Sequence, residues 1–421
     1  MKKQSIASNL LLAIGIVLTG NFQAGCKSPA PVARQTIEFT EINSPTHSGA
    51  SVPTLSIGGD KAFYLVWVEP ASEKVNRLLF AKWDGKQWSS SHTITEDSSV
   101  LAHISGEPKL LALDEQHLAA AWMATTKGAK DPEATSLQVS FSKDGGSTWS
   151  APTPSSDDKT EGEHEYASLY SLNSQFGMAW LDPRRTAPAE ARKAHSHEPA
   201  ATILMATTFT KEGGHGKEFV MADSVCDCCP ISTVTAAQGP VMVYRNRDHD
   251  ETRDIYITKF EGTNWLPGHP VYRDGWRIEG CPTNAAHVDV LGEEMVVAWF
   301  TGAGDIGRVK VAYSSDSGDH FDEPITVDED RPVGHVSSVA LPDRGAIISW
   351  VGHSGSNRAL YTQEIHANGQ RGLRQTIQNY PSNAALGFPV MAQNSREILL
   401  AWTDSEGSKV RVARALLPVK R

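Results

Sequence analysis

A run of apolar-x-apolar-Trp recurs along this chain at a nearly even interval, and that spacing constrains the fold more than any other feature. It reads Leu65-Val66-Trp67, Ala120-Ala121-Trp122, Met178-Ala179-Trp180, Val297-Ala298-Trp299, Ile348-Ser349-Trp350 and Leu400-Ala401-Trp402. Val241-Met242-Val243-Tyr244 sits in the wide gap between the third and the fourth, with Tyr in the Trp place. Each run follows a short strand-like segment and a turn. A spacing of roughly 50–60 residues is close to the period of a four-stranded propeller blade. Tryptophans scattered through a core by chance have no reason to be evenly spaced. The chain is therefore expected to be all-β, a propeller of seven four-stranded blades, with six as the alternative.

The last unit supplies only three strands, over Phe388 to Ala392, Glu397 to Trp402 and Lys409 to Ala415. The run Thr36 to Ile42 alternates apolar and polar residues and is expected to add the fourth. Closing the ring this way removes the edges that an open sheet leaves exposed. Strand order then assigns the faces. Turns from the second to the third strand of a blade share one rim with the connections between blades. Turns from the third to the fourth strand lie on the opposite rim.

Two third-to-fourth turns carry the same motif. Ser142-Lys143-Asp144-Gly145-Gly146-Ser147-Thr148-Trp149 reads S-x-D-G-G-x-T-W, and Ser314-Ser315-Asp316-Ser317-Gly318-Asp319-His320-Phe321 repeats it with Phe for Trp. An Asp two residues after a Ser can bond the backbone of its own turn, the glycines tolerate positive φ, and the aromatic folds back as a plug. The motif resembles the Asp box, or BNR repeat, of the sialidase (neuraminidase) superfamily, whose members are β-propellers. The structural residues are Ser142, Asp144, Gly146 and Trp149, and Ser314, Asp316, Gly318 and Phe321. Function is expected on the rim away from them.

The N-terminus reads as an export signal rather than as part of the fold. Lys2 and Lys3 precede an apolar run from Leu10 to Leu18, too short to span a bilayer. Residues 1–25 end in Phe22-Gln23-Ala24-Gly25 before Cys26, which resembles a bacterial lipobox with Gln23 in the usual Leu place. That makes Cys26 the expected lipidated residue and 26–35 a tether, with 36–421 as the propeller. The expected location is the bacterial cell envelope, with membrane contact through the lipid anchor only. The formal charge is −10, and removing Lys2 and Lys3 makes it −10 − 2 = −12. This argues against nucleic acid as a partner, because phosphate binding needs a basic surface.

Polar residues and cysteines concentrate on the rim opposite the S-x-D turns. Arg184 and Arg185 begin a long connection that runs through His195 and His197 to Glu198, and Arg245 and Arg247 open the corresponding turn of the fourth unit. Their planar forks suit a carboxylate or phosphate, and Arg358 and Trp276 join them as candidate ligand contacts. Pairing with Asp248, Asp250, Glu251 and Asp254 is the plainer alternative.

Cys226-Asp227-Cys228-Cys229-Pro230 and Gly280-Cys281-Pro282 occupy the starts of consecutive units. Cys229 and Cys281 hold equivalent places and can face each other. Four cysteines in an exported chain suggest two disulfides. The alternatives are a thiolate site for Cu or Zn, with His335 at a further unit start, and free or redox-active thiols.

The sialidase resemblance covers the propeller and implies a glycan or another anionic small molecule as partner. Sialidases clamp a carboxylate with three arginines and use a Tyr–Glu nucleophile pair with an Asp acid/base. If the chain is an enzyme, an exo-glycosidase is implied. The place of the first clamp arginine is Gly49-Ala50-Ser51-Val52-Pro53-Thr54-Leu55 here, with no arginine. Tyr244 with Glu251 or Glu279 is the only candidate pair, and Arg245 and Arg358 are the candidate clamp members. The chain also looks like a bacterial group of sialidase-like propellers that carry C-D-C-C, Y-R-x-R and G-C-P together, which implies that the Cys/Arg rim is the group's own site. Three functions are thus in view: anionic-glycan recognition or hydrolysis, a cysteine-based metal or redox site, and a non-catalytic adhesion scaffold.

Overall fold

The computed structural model describes residues 37–158, 160–186, 201–384, 386–404 and 409–418. The expected signal peptide, Cys26, the expected tether and the stretch from His195 to Glu198 lie outside the described residues.

Seven antiparallel sheets follow one another around a ring. Their innermost strands are Ser51–Ile57, Lys109–Ala112, Glu165–Leu172, Ser232–Ala236, Ala286–Leu291, Gly334–Leu341 and Val390–Gln393. Consecutive members of this set contact each other, and the first contacts the last. The seventh blade takes Val390–Gln393, Glu397–Thr403 and Val410–Leu416 from the C-terminal end and Thr40–Ile42 from the N-terminal end. Thr40 pairs with Arg414 and Ile42 with Val412, so the ends of the propeller close it. Beside this seam the Gln375 amide clasps Phe39, accepting from its N–H at 2.9 Å and donating to its carbonyl at 2.7 Å.

The second strand of each blade explains the recurrent apolar runs. Its two faces pack on the blades before and after, so the period-2 alternation of a half-exposed strand is lost. Phe63 to Val68 are all buried, as are Leu118 to Ala124. The tryptophan that ends the run is buried as well, and its indole N–H requires an acceptor. Trp67 donates to Glu69 at 3.1 Å, Trp180 to Asp182 at 2.7 Å, Trp299 to Asp274 at 2.6 Å and Trp350 to Asp328 at 2.6 Å. Four of the seven repeats thus plant a carboxylate at the end of the run. Trp402 has no such partner among the described residues.

The outer strands are less regular. Blade 2 ends in only Thr153–Pro154, and the outer position of blade 4 is divided between Asn264–Trp265 and His269–Pro270.

Both S-x-D turns connect third to fourth strands. In the first, Ser142 donates to Asp144 at 2.9 Å and accepts from the Gly146 N–H at 2.8 Å, while Asp144 accepts from the Thr148 N–H at 2.8 Å. Gly146 sits at φ 89°, and a Cβ there would lie 2.3 Å from the Phe80 ring of the preceding blade. Trp149 packs edge-on against that same ring at 5.9 Å. The second turn repeats the pattern with Ser314, Asp316, Gly318 and His320, and Phe321 rests on the core of the preceding blade.

Candidate functional site at the channel mouth

The ring encloses an axial cavity of about 600 Å³ lined by all seven inner strands. Lys109, Ser168, His287, Asp289 and Gln393 face it. Burial pushes Asp289 up to about 6 and His287 down to about 4. His287 accepts from the Ser338 N–H at 3.2 Å through Nδ1 and is therefore a neutral structural group.

The mouth on the rim opposite the S-x-D turns is more heavily furnished. Glu107 pairs with Lys109 at 3.1 Å, and burial raises its pKa against that pairing. Glu165 opens the inner strand of blade 3, where burial lifts it from 4.5 to about 7. The sign of its contribution follows from that direction. The folded state holds the proton more tightly than the unfolded chain, so stability falls as pH rises from 4.5 to 7, and the cost is complete above 7. Glu165→Gln is expected to remove this slope and to stabilise the protein by about 2–3 kcal/mol above neutral pH, read by urea unfolding at several pH values.

The cysteines lie where the chain passes from blade 3 to blade 4. The Cys226 N–H donates to the Arg245 carbonyl at 2.9 Å, and the Tyr166 hydroxyl donates to the Cys228 carbonyl at 3.1 Å, so backbone contacts pin the loop from two sides. Tyr166 itself holds φ 53° at a bulge in its strand. Cys228 forms a disulfide with Cys281 across 53 residues, and Cys226 and Cys229 are free thiols, each 1% exposed. Sγ of Cys226 lies 3.3 Å from that of Cys229 and 3.7 Å from that of Cys228.

Arg253, also buried, donates to the Cys226 sulfur at 3.3 Å and to Glu251 at 2.9 Å. The Cys229 thiol, foremost, holds Cys226 down to about 6 against burial, with the Cys228 N–H and the charges of Arg245 and Arg253 helping. Burial first, then the neighbouring Cys226, pushes Cys229 well above the ordinary thiol value. One sulfur is thus readied as a thiolate beside a partner that keeps its proton, with a disulfide within reach.

The expected facing pair is corrected here, because Cys281 joins Cys228 rather than Cys229. Cys229 turns inward toward Cys226, while Cys228 is half-buried and Cys281 exposed. His335 does not join the sulfurs. Its Nδ1 bonds the Gly387 carbonyl at 2.9 Å, its ring lies 4.5 Å from Phe388, and the sulfurs grouped within 4.8 Å are those of Cys226, Cys228 and Cys229.

The candidate clamp is also arranged differently from the expectation. Arg184 grips Asp182 through two bonds of 2.8 Å and reaches Glu218 at 2.9 Å, and Arg185 pairs with Asp223. Arg247 binds Glu251 at 2.8 Å. Arg245 is 3% exposed and donates to the carbonyls of Arg253, Asn284 and Phe300 at 2.8–3.4 Å, with its guanidinium 4.9 Å from the Trp276 ring. Trp276 is buried beneath it against Phe300 and so is part of the wall. Arg358 stands apart on the blade 6 hairpin.

Tyr244 lies in the core between blades 3 and 4, Glu251 is held by two arginines, and Glu279 is exposed. These three do not form a nucleophile pair.

Sequence reasoning passed over Tyr166, Glu165, Glu107 and Arg253 as site residues. It also passed over the signal that matters most. Cys226 and Cys229 are themselves a C-x-x-C pair, hidden by the extra Cys228 between them.

No protein-family model matches the chain, and no curated protein matches it. Among solved structures it is similar to a protein of unknown function from Dyadobacter fermentans, at 16% identity over 91% of this chain and 99% of that one, with a TM-score of 0.47. The Hadza microbial sialidase Hz136 matches at 14% identity over 84% of this chain and 76% of that one, with a TM-score of 0.48. Trypanosoma rangeli sialidase in complex with sialic acid matches at 13% identity over 80% of this chain and 56% of that one, with a TM-score of 0.45. The blade count rests on the strand pairing of this chain itself.

Proposed function

We propose that this propeller is a thiol–disulfide redox protein whose centre is the cysteine cluster at the channel mouth. The observation that carries the reading is a buried Cys226–Cys229 dithiol at 3.3 Å, one sulfur of which lies 3.7 Å from the Cys228–Cys281 disulfide and 3.3 Å from the Arg253 guanidinium. A thiolate is the attacking species in disulfide exchange, and a cation beside it favours that form. The disulfide fits an oxidising compartment, in keeping with an exported protein held at the cell envelope through Cys26.

The geometry supports a glycan clamp less well. Arg184, Arg185 and Arg247 would each have to leave a carboxylate partner, and Arg245 would have to leave three backbone carbonyls.

The test is a thiol count on the native full-length chain in buffers of graded dithiol potential, with tryptophan fluorescence as the fold monitor. The rim thiols are expected to rise reversibly from two to four while the fluorescence holds. A count that never changes until the protein unfolds would overturn the reading.

A further inference from the structure

We propose that the two cysteine pairs are halves of an internal disulfide relay, in which Cys281 faces the outside partner and the Cys226–Cys229 pair is the buried store. The inference rests on the redox reading above and adds a direction of transfer to it.

Four observations carry it. Cys281 is exposed, Cys228 half-buried, and Cys226 and Cys229 fully enclosed, so the sulfurs descend from solvent into the wall. Cys226 is the one sulfur placed between the pairs, 3.7 Å from Cys228 and 3.3 Å from Cys229. Arg253 donates to Cys226 at the point where charge must sit before attack. Finally, the Tyr166 hydroxyl and the Arg245 carbonyl hold the loop backbone, so the sulfurs can exchange partners while the chain stays in place.

The chemistry balances without any outside oxidant. The Cys226 thiolate attacks Sγ of Cys228, forming a Cys226–Cys228 bond and breaking Cys228–Cys281, with Cys281 leaving as a solvated thiolate. Cys229 then gives up its proton, which ends on the Cys281 thiolate, and attacks Cys226. A Cys226–Cys229 bond forms and Cys228 leaves as the thiolate. One disulfide and two thiols are present at the start and at the end. The rim changes from presenting a disulfide to presenting a dithiol. The outside partner is therefore a thiol or disulfide able to reach Cys281, and the buried pair sees it only through Cys228.

Peptide mapping of the full-length chain tests this. The protein in its state of one rim disulfide is equilibrated at neutral pH, acid-quenched, and alkylated with N-ethylmaleimide. Wild type is expected to give both Cys228–Cys281 and Cys226–Cys229 linkages. Cys229→Ser should trap a Cys226–Cys228 linkage with Cys281 alkylated, and Cys226→Ser should retain Cys228–Cys281 alone. A wild type with only the Cys228–Cys281 linkage, together with no Cys226–Cys228 species in Cys229→Ser, would overturn the relay. The Cys229→Ser result decides even if Cys226→Ser fails to fold. A thiol count that responds to redox buffer while the linkage stays fixed sinks the relay alone. A count that does not respond sinks the redox reading beneath it.

Discussion

Cys226 is expected to be mostly thiolate at neutral pH, with an ultraviolet thiolate transition centred at about 6. Against an ordinary thiol with a pKa of about 8.5, that difference raises the thiolate fraction at pH 7 roughly thirtyfold. The first cause is the hydrogen bond between Cys226 and Cys229, so Cys229→Ala should move the transition upward by more than one pH unit. Arg253→Met should move it in the same direction by less, because Arg253 is one of two guanidiniums whose charges act on the sulfur. Burial opposes all of these. If both partners are lost it should carry Cys226 above the ordinary thiol range.

Arg245→Ala is expected to be the most damaging single change at the rim, lowering stability by roughly 4 kcal/mol in urea unfolding. The guanidinium ties the carbonyls of Arg253, Asn284 and Phe300 together from three separate stretches of chain. Alanine leaves those carbonyls buried without donors and opens a space against Trp276, which lies 4.9 Å from the guanidinium. Arg245→Lys keeps the charge but not the fork, and should recover only part of the loss. A ligand-clamp role predicts the opposite profile, with stability near wild type.

The architecture was legible because its signal is redundant. Trp67, Trp180, Trp299 and Trp350 mark second strands whose two faces are both covered, and that burial leaves an apolar run visible in the chain. The closing strand was legible only in part, since the alternation falls on Ile37, Glu38 and Phe39 while the paired strand is Thr40–Ile42 alone.

The site was only half legible. Sequence gathers the arginines and cysteines on one rim but does not say where each side chain turns. Arg184 meets Glu218, 34 residues away, and Arg245 meets Phe300, 55 residues away. Neither meeting leaves a local pattern. The choice of Cys228 over Cys229 as the partner of Cys281 depends on which of two adjacent side chains faces the rim, and Pro230 and Pro282 hold equivalent places whichever is chosen. Tyr166 carries no motif at all, since its place at the mouth follows from a bulge at φ 53°.

The measurement that bears most directly on the central claim is a combined thiol, disulfide and metal inventory of the native full-length protein, with the rim peptides resolved from that of Cys26. The account predicts one disulfide and two thiols among Cys226, Cys228, Cys229 and Cys281, with no stoichiometric metal. Four thiolates holding an equimolar Cu or Zn ion, or two disulfides that no reductant opens in the folded state, would contradict it.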